Sequence, residues 1–398
     1  MLVASATSAL PAGTGQAARD EVRALWVTRA TLASPAAVAT MVKSAHDSGF
    51  NTLLVQVRAR GDAYYSGSPE PRAQALRGQP AGFDPLQVTL AEAHKAGLRV
   101  HAWISVNLVS SAADLPASRD HVIYQHPEWL MVPRAVANDM RLLNQRSPLY
   151  LDKLVRAVRQ QPSEVEGLYL SPVPAAAVDY QAEVVRDLVQ RYAIDGVHLD
   201  YVRYPSEAFD YSLESLTEFA ASLAVDLPAA DVTAMRARET VDPLVFVDRY
   251  PDRWAVFRRS RLTSLVDRLR AVVKESRPRA LLTAAVVPDP AEAAGRRLQD
   301  WQGWLADGAL DAVCPMAYAT DLTGFTAQMT TARLAADGKP VWAGIGAYRL
   351  SSAQTIESIQ VARRLGAAGV ILYSYDSLVT ASPTGAALSL IGRAAFPH

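Results

Sequence analysis

The residues best placed to do chemistry sit in one short run, Asp195-Gly196-Val197-His198-Leu199-Asp200. Apolar and polar residues alternate in it, as they do in a strand whose side chains point to opposite faces in turn. Val197 and Leu199 take the apolar face, so Gly196, His198 and Asp200 share the other, with Asp200 at the C-terminal end. Asp195 has the opposite parity and reads as a capping or turn residue. Asp200 is the first candidate for a reactive carboxylate, as nucleophile or base. The alternative is a rim aspartate ion-paired with Arg203 or Arg58. The candidates for a partner acid are ranked Asp321, then Asp62, then Asp289 and Asp376. Each of these also suits loop capping, because a short carboxylate readily accepts nearby backbone N–H groups.

The same parity argument applies to the other short apolar runs. It turns Gln56 and Arg58 inward in one, and His101, Trp103, Ser105 and Asn107 in the next. Cys314, Met316 and Tyr318 share a face further on, followed by Trp342 and by Tyr373 or Asp376 according to register. Tyr201, Arg203 and Tyr204 begin the segment after Asp200 and could floor a subsite. Carboxylates, His, Asn, Arg and aromatic rings in one mouth suit sugars, whose C–H faces lie on rings and whose hydroxyls need polar partners. HExxH and CxxC spacings are absent, so no metal is expected, nor any other cofactor. Cys314, the one cysteine, lies in an apolar run and reads as a buried, inert thiol.

The elements that must position these residues are strands alternating with helices. Eight runs read as strands: 23–28, 52–57, 98–104, 195–200, 280–287, 310–316, 340–345 and 369–373. Helical patterns lie between them, at 35–48, 85–96, 180–192, 253–275, 298–306, 326–336 and 353–365. Ser34-Pro35 and Asp84-Pro85 are helix starts. Gly49, Gly97, Gly308, Gly338 and Gly369 are read as helix ends. Eight strand–helix units close into a (β/α)₈ TIM barrel. A doubly wound open sheet would want a glycine-rich turn after the first strand, and Thr28-Arg29-Ala30-Thr31-Leu32 has no glycine. Long insertions follow the second, third and fourth strands, at 58–84, 105–179 and 201–252, on the face that carries the active site in such barrels. They are expected to hold short helices of their own, at 148–160 and 213–224.

The 398 residues fit one elaborated barrel over 21–398. Residues 1–20 are expected to be a leader, the tail of a secretory signal or a disordered segment. The formal net charge is zero, which speaks against a nucleic-acid partner. The arginines at 258–261 and 268–270 fit a solvated helix face. No run of about 18 apolar residues appears, so no membrane span is expected.

Asp195 to Asp200, continued by Tyr201-Val202-Arg203-Tyr204-Pro205, resembles the signature of the glycosyl hydrolase-like 10 family. Collinear matches run from Asn51 to Arg58 with Gly61-Asp62-Ala63, then through Phe83-Asp84-Pro85-Leu86 and from Ala93 into His101-Ala102-Trp103. They continue at His126-Pro127-Glu128-Trp129, Gly167-Leu168-Tyr169-Leu170-Ser171-Pro172 and Pro315-Met316-Ala317-Tyr318. The resemblance implies a barrel enzyme of bacterial envelopes, exported, that cleaves glycan chains, with peptidoglycan-derived glycans as a substrate class. Two positions depart from the family pattern. Tyr201 stands where a second acid often follows the strand aspartate, and Ser171 stands where aspartate is frequent.

Glycoside hydrolysis uses two carboxyl groups, one to protonate the leaving oxygen and one to attack the sugar or activate water. On that reading Asp200 is nucleophile or base and Asp321 the first choice of acid. Arg58, Asp62, His101, Trp103, Asn107, His198, Tyr201, Arg203, Tyr318, Trp342 and Tyr373 would bind the oligosaccharide or polysaccharide. His101 and His198 fit equally well as satisfied histidines of the barrel core, and the aromatic residues as packing. The alternative function is a non-catalytic glycan-binding barrel. A third is unrelated chemistry on the same scaffold, although no strand carries an inward lysine for an aldolase, nor the first strand a His-x-His pair for a metal hydrolase.

Overall fold

The computed structural model describes residues 21–161, 163–381 and 386–396; the expected leader over 1–20 lies outside the described residues. Eight parallel strands close on themselves: β1 Val22–Val27, β2 Thr52–Arg58, β3 Arg99–Ser105, β4 Gly196–Asp200, β5 Leu281–Val286, β6 Ala312–Ala317, β7 Trp342–Ile345 and β8 Gly369–Tyr373. Each pairs with its neighbours in sequence, and β8 returns to β1 with Val22 opposite Gly369 and Trp26 opposite Tyr373. The expected (β/α)₈ barrel is therefore present, and its strands are the eight apolar runs.

Local chemistry sets the ends of the covering helices. The Ser34 hydroxyl accepts the Ala37 N–H at 3.3 Å and the Asp84 carboxylate accepts the Gln87 N–H at 3.0 Å, satisfying first-turn donors that have no partner within their own helix. Gly49, Gly97, Gly308 and Gly338 hold positive φ where helices stop. Gly369 does not: it opens β8, and the helix Ser352–Arg364 is closed by Gly366 at φ +73°. At Gly369 a Cβ would come within 2.6 Å of Val22, so the glycine serves strand packing instead.

Alternation along the strands sorts side chains into two cores. Val55, Val57, Val100, Ala102, Ile104, Val197 and Leu199 pack against the helices. Trp26, Leu54, Trp103, Cys314, Trp342 and Ile371 fill the barrel interior. Burying each large apolar side chain is worth about 1.5–3 kcal/mol. Gly196 makes room for His101, whose ring lies 2.6 Å from where a Cβ would stand. Cys314 is fully buried, and burial pushes its thiol far from ionisation.

The insertions build walls above the C-terminal rim. After β3 a short antiparallel ribbon joins Leu108–Ser110 to Leu168–Tyr169, with the helix Pro148–Arg159 between them in sequence. After β4 the helices Leu213–Ala224 and Ala229–Glu239 gather a second apolar cluster around Tyr211, Phe219, Trp254 and Phe257. The long helix Pro251–Ser276 starts in that cluster and then packs Leu262, Leu265, Val266 and Leu269 onto the barrel. Among the described residues no helix is long and apolar enough to cross a membrane.

Candidate active site

Asp200 ends β4 at the rim, partly open to solvent. The Trp103 indole N–H donates to its Oδ2 at 3.0 Å and the Tyr201 backbone N–H to its Oδ1 at 2.7 Å. Burial raises its pKa above the ordinary carboxylate value, while the Tyr201 N–H, the Arg203 charge and the Trp103 indole pull the other way. Tyr201 itself has φ +50°, a left-handed conformation uncommon for a bulky side chain. Such strain persists where the surroundings enforce it, and it concentrates at functional sites. The sharp turn at Tyr201 brings the residue's own N–H back onto the carboxylate.

Aromatic rings surround this acid. Tyr373 lies 6.0 Å from Trp26, 6.4 Å from Trp103, and 5.7 Å from both Tyr318 and Tyr348, centroid to centroid. The phenols of Tyr318 and Tyr373 are raised in pKa first by burial and next by the charge of Asp200, so the acid sits among them. A cleft of about 320 Å³ opens beside it, walled by Thr28, Arg29, Gln56, Ser105, Tyr201 and Tyr373. Ser105 is the β3 partner of Asp200 in the register.

Both histidines point inward, as parity requires, and both are neutral. The Trp26 indole N–H donates to His198 Nε2 at 3.0 Å, which leaves Nδ1 to carry the proton toward the Thr283 hydroxyl at 2.9 Å. Burial, with a smaller contribution from His101, keeps His198 well below its ordinary pKa. Burial lowers His101 to about 4, and its ring packs against Trp342 at 5.5 Å. Trp342 is 3% exposed, so the structure places it within the barrel core and below the mouth.

Arg58 does not face the mouth. A bulge shifts the register between Gln56 and Arg58, so that Arg58 stands opposite Ile104. The extra residue reverses the parity, and the guanidinium lies among Ile104, Val106, Val184 and Leu269 under the helices. There it grips both oxygens of buried Glu70, at 2.8 and 2.7 Å, and donates to the Ser105 and Val106 carbonyls. Asn107 is also buried, its amide donating to the Arg203 carbonyl at 3.3 Å. Arg203 pairs with Glu166 at 2.6 Å and lies over the Tyr201 ring.

Each partner-acid candidate holds donors of its own. Asp321 and Asp289 are exposed and cap the helices Leu322–Ala335 and Pro290–Arg296. Asp376 accepts the Thr28 N–H and the Thr31 hydroxyl at 2.7 and 2.6 Å. Asp62 accepts the Arg60 N–H at 3.1 Å and lines a neighbouring cleft. Two residues near Asp200 escaped the sequence reading. Glu166, held by Arg203 and by the Tyr169 hydroxyl, contributes to the field at Asp200. Its only signal was that it precedes the Gly167–Pro172 motif. Tyr348 sits in the turn after β7. Among the described residues no three His, Cys, Asp or Glu side chains converge as a metal site.

The chain belongs to the glycosyl hydrolase-like 10 family, whose model matches residues 21–359. It is 28% identical over 162 residues to glycosyl hydrolase YngK of Bacillus subtilis, covering 39% of this chain and 26% of that protein. It is 30% identical over 168 residues to glycosyl hydrolase DigH of Escherichia coli, covering 38% of this chain and 30% of that one. These matches thus span less than a third of either relative. Among solved structures, the glycoside hydrolase domain of PgaB (BpsB) from Bordetella bronchiseptica superposes with a TM-score of 0.62 at 17% identity, covering 93% of this chain and 98% of that one. The catalytic domain of a Paenibacillus polymyxa β-amylase gives 0.60 at 13% identity, covering 94% and 99%. At such identities the likeness establishes the shared barrel.

Proposed function

We propose that this protein is a glycoside hydrolase of the bacterial envelope, exported from the cytoplasm, that acts on a polysaccharide such as the glycan strands of peptidoglycan. Asp200 is its essential carboxylate. One observation carries the reading: an acid at the C-terminal end of β4 is held by two N–H donors, ringed by tyrosines and placed beside an open cleft. That is the face of a (β/α)₈ barrel where catalytic groups gather. The donors favour the charged form, and a carboxylate has about four acceptor positions, so lone pairs remain for a sugar or a water. The rings of Tyr318, Tyr348 and Tyr373 offer apolar faces for the sugar C–H groups. Family membership and the barrel shared with glycosidases support the same class.

A second reading, glycan binding without cleavage, is favoured by the commitment of Asp289 and Asp321 to backbone groups of their own loops and of Asp376 to Thr28 and Thr31 after β1. The test is release of soluble products from purified peptidoglycan and from its peptide-free strands, comparing wild type with Asp200→Asn. Release by wild type and none by the folded variant is expected. No release by either, with glycan still bound, replaces the hydrolase reading with the binding one.

A further inference from the structure

The cleft beside Asp200 has two charged residues in its described wall, Arg29 and Arg60. Two nearby arginines are paired instead, Arg58 with Glu70 at 2.7 Å and Arg203 with Glu166 at 2.6 Å. Among the described residues neither Arg29 nor Arg60 pairs with a carboxylate. Two nearby acids hold other donors. Asp62 accepts the Arg60 N–H, and Asp376 holds Thr28 and Thr31. Arg60 is fixed by its own backbone, since the His121 Nε2–H donates to its carbonyl at 2.7 Å. Arg60 stands between this cleft and the neighbouring one that Asp62 and His121 line. The Ser105 hydroxyl lies in the same wall, fully buried and without a hydrogen-bond partner. Gln56 supplies a further neutral polar group. Two unpaired guanidiniums, an unsatisfied hydroxyl and the edges of Tyr201 and Tyr373 form a wall with cations to spare. Guanidinium bonds to carboxylate are about twice as strong as neutral ones and can be bidentate.

We propose that Arg29 and Arg60 make this cleft a subsite for a sugar that carries a carboxylate, and that they select acidic over neutral glycan. The proposal rests on the glycan-acting reading above and specifies what one of its subsites recognises.

Binding is measured by calorimetry with the Asp200→Asn protein, so that turnover does not intervene. The probes are soluble peptide-free peptidoglycan strands, whose carboxylates are ether-linked, and oligogalacturonate, whose carboxylates are on the ring. Each is also used after reduction of its carboxylates to alcohols. At least one acidic probe is expected to bind roughly tenfold or more tightly than its reduced form, with salt weakening only the acidic one. Adding Arg29→Gln and Arg60→Gln should leave the two forms bound alike. Which acidic probe is favoured identifies the carrier of the carboxylate. Equal binding of acidic and reduced forms overturns the subsite, as does an equal loss for both forms in the arginine variants. If no probe binds and wild type releases no product, the glycan-acting reading itself has failed; binding without acidic preference leaves that reading standing.

Discussion

Two aspartates ten residues apart show how one side chain can serve opposite ends. Asp210 is fully buried and accepts four hydrogen bonds, from the Val132 and Ser212 N–H groups and from the Ser212 and Ser215 hydroxyls. Its lone pairs are used up knitting the β3 and β4 insertions together. Asp200 accepts two, from Trp103 and Tyr201, and remains partly open among aromatic rings. Burial still raises its pKa, so its charged form is incompletely compensated. A carboxylate with every acceptor position filled has become part of the scaffold. One with positions left over beside a cleft is free to meet a substrate.

The contrast can be broken in order of effect. Asp200→Asn should lower product release by roughly a thousandfold or more, measured with melting curves on the same samples. Melting should change little, because the amide gives up one of the two N–H bonds but relieves a charge held at a cost. The folded acid holds its proton more tightly than the unfolded one, so its contribution to stability is present below the ordinary value of 3.8 and lost as pH rises through the raised value. The amide removes that loss at neutral pH while one N–H goes unmet, and a fall in melting temperature as large as that of Asp210→Asn would refute the argument. Asp210→Asn should do the reverse, costing about 1–3 kcal/mol of stability by denaturant titration while the surviving folded fraction keeps its turnover.

Acid should loosen the barrel beneath the rim. His101 and His198 have folded pKa values below 6.5, so the unfolded chain takes up protons first. Their stabilisation is present above pH 6.5 and is lost as pH falls from there toward 4, which thermal melts at stepped pH will register. His101→Phe should flatten that dependence. The smallest change is Trp103→Phe, which removes one donor from Asp200 and keeps most of the ring. It should lower kcat/KM about tenfold and move the acidic limb of the pH profile upward, because the carboxylate loses a bond that favoured its charged form.

Most of this frame was legible in the residues. The alternation in β4 assigned Val197 and Leu199 to the outer core and His198 and Asp200 to the interior, because a regular strand keeps its period of two. The same rule misplaced Arg58, because a single extra residue at a bulge reverses parity and leaves no mark in composition. Asp321 carried a local signal, standing just before a helix that it caps, and that local role is where the structure puts it. Glu166 and Tyr348 reach the rim from loops whose paths depend on tertiary packing, which no local pattern encodes.

The chain of groups Trp26–His198–Thr283 runs from β1 through β4 to β5 across the barrel bore. It acts as a spoke, bracing strands that are not all neighbours in the sheet and holding the hub at a set radius one layer below the mouth. Beyond the turn at Tyr201, which itself holds the carboxylate, the rim loops above this spoke can vary in length while the height of Asp200 is kept. A lineage carrying such a brace can vary the walls of its mouth while the carboxylate at the end of β4 stays in register.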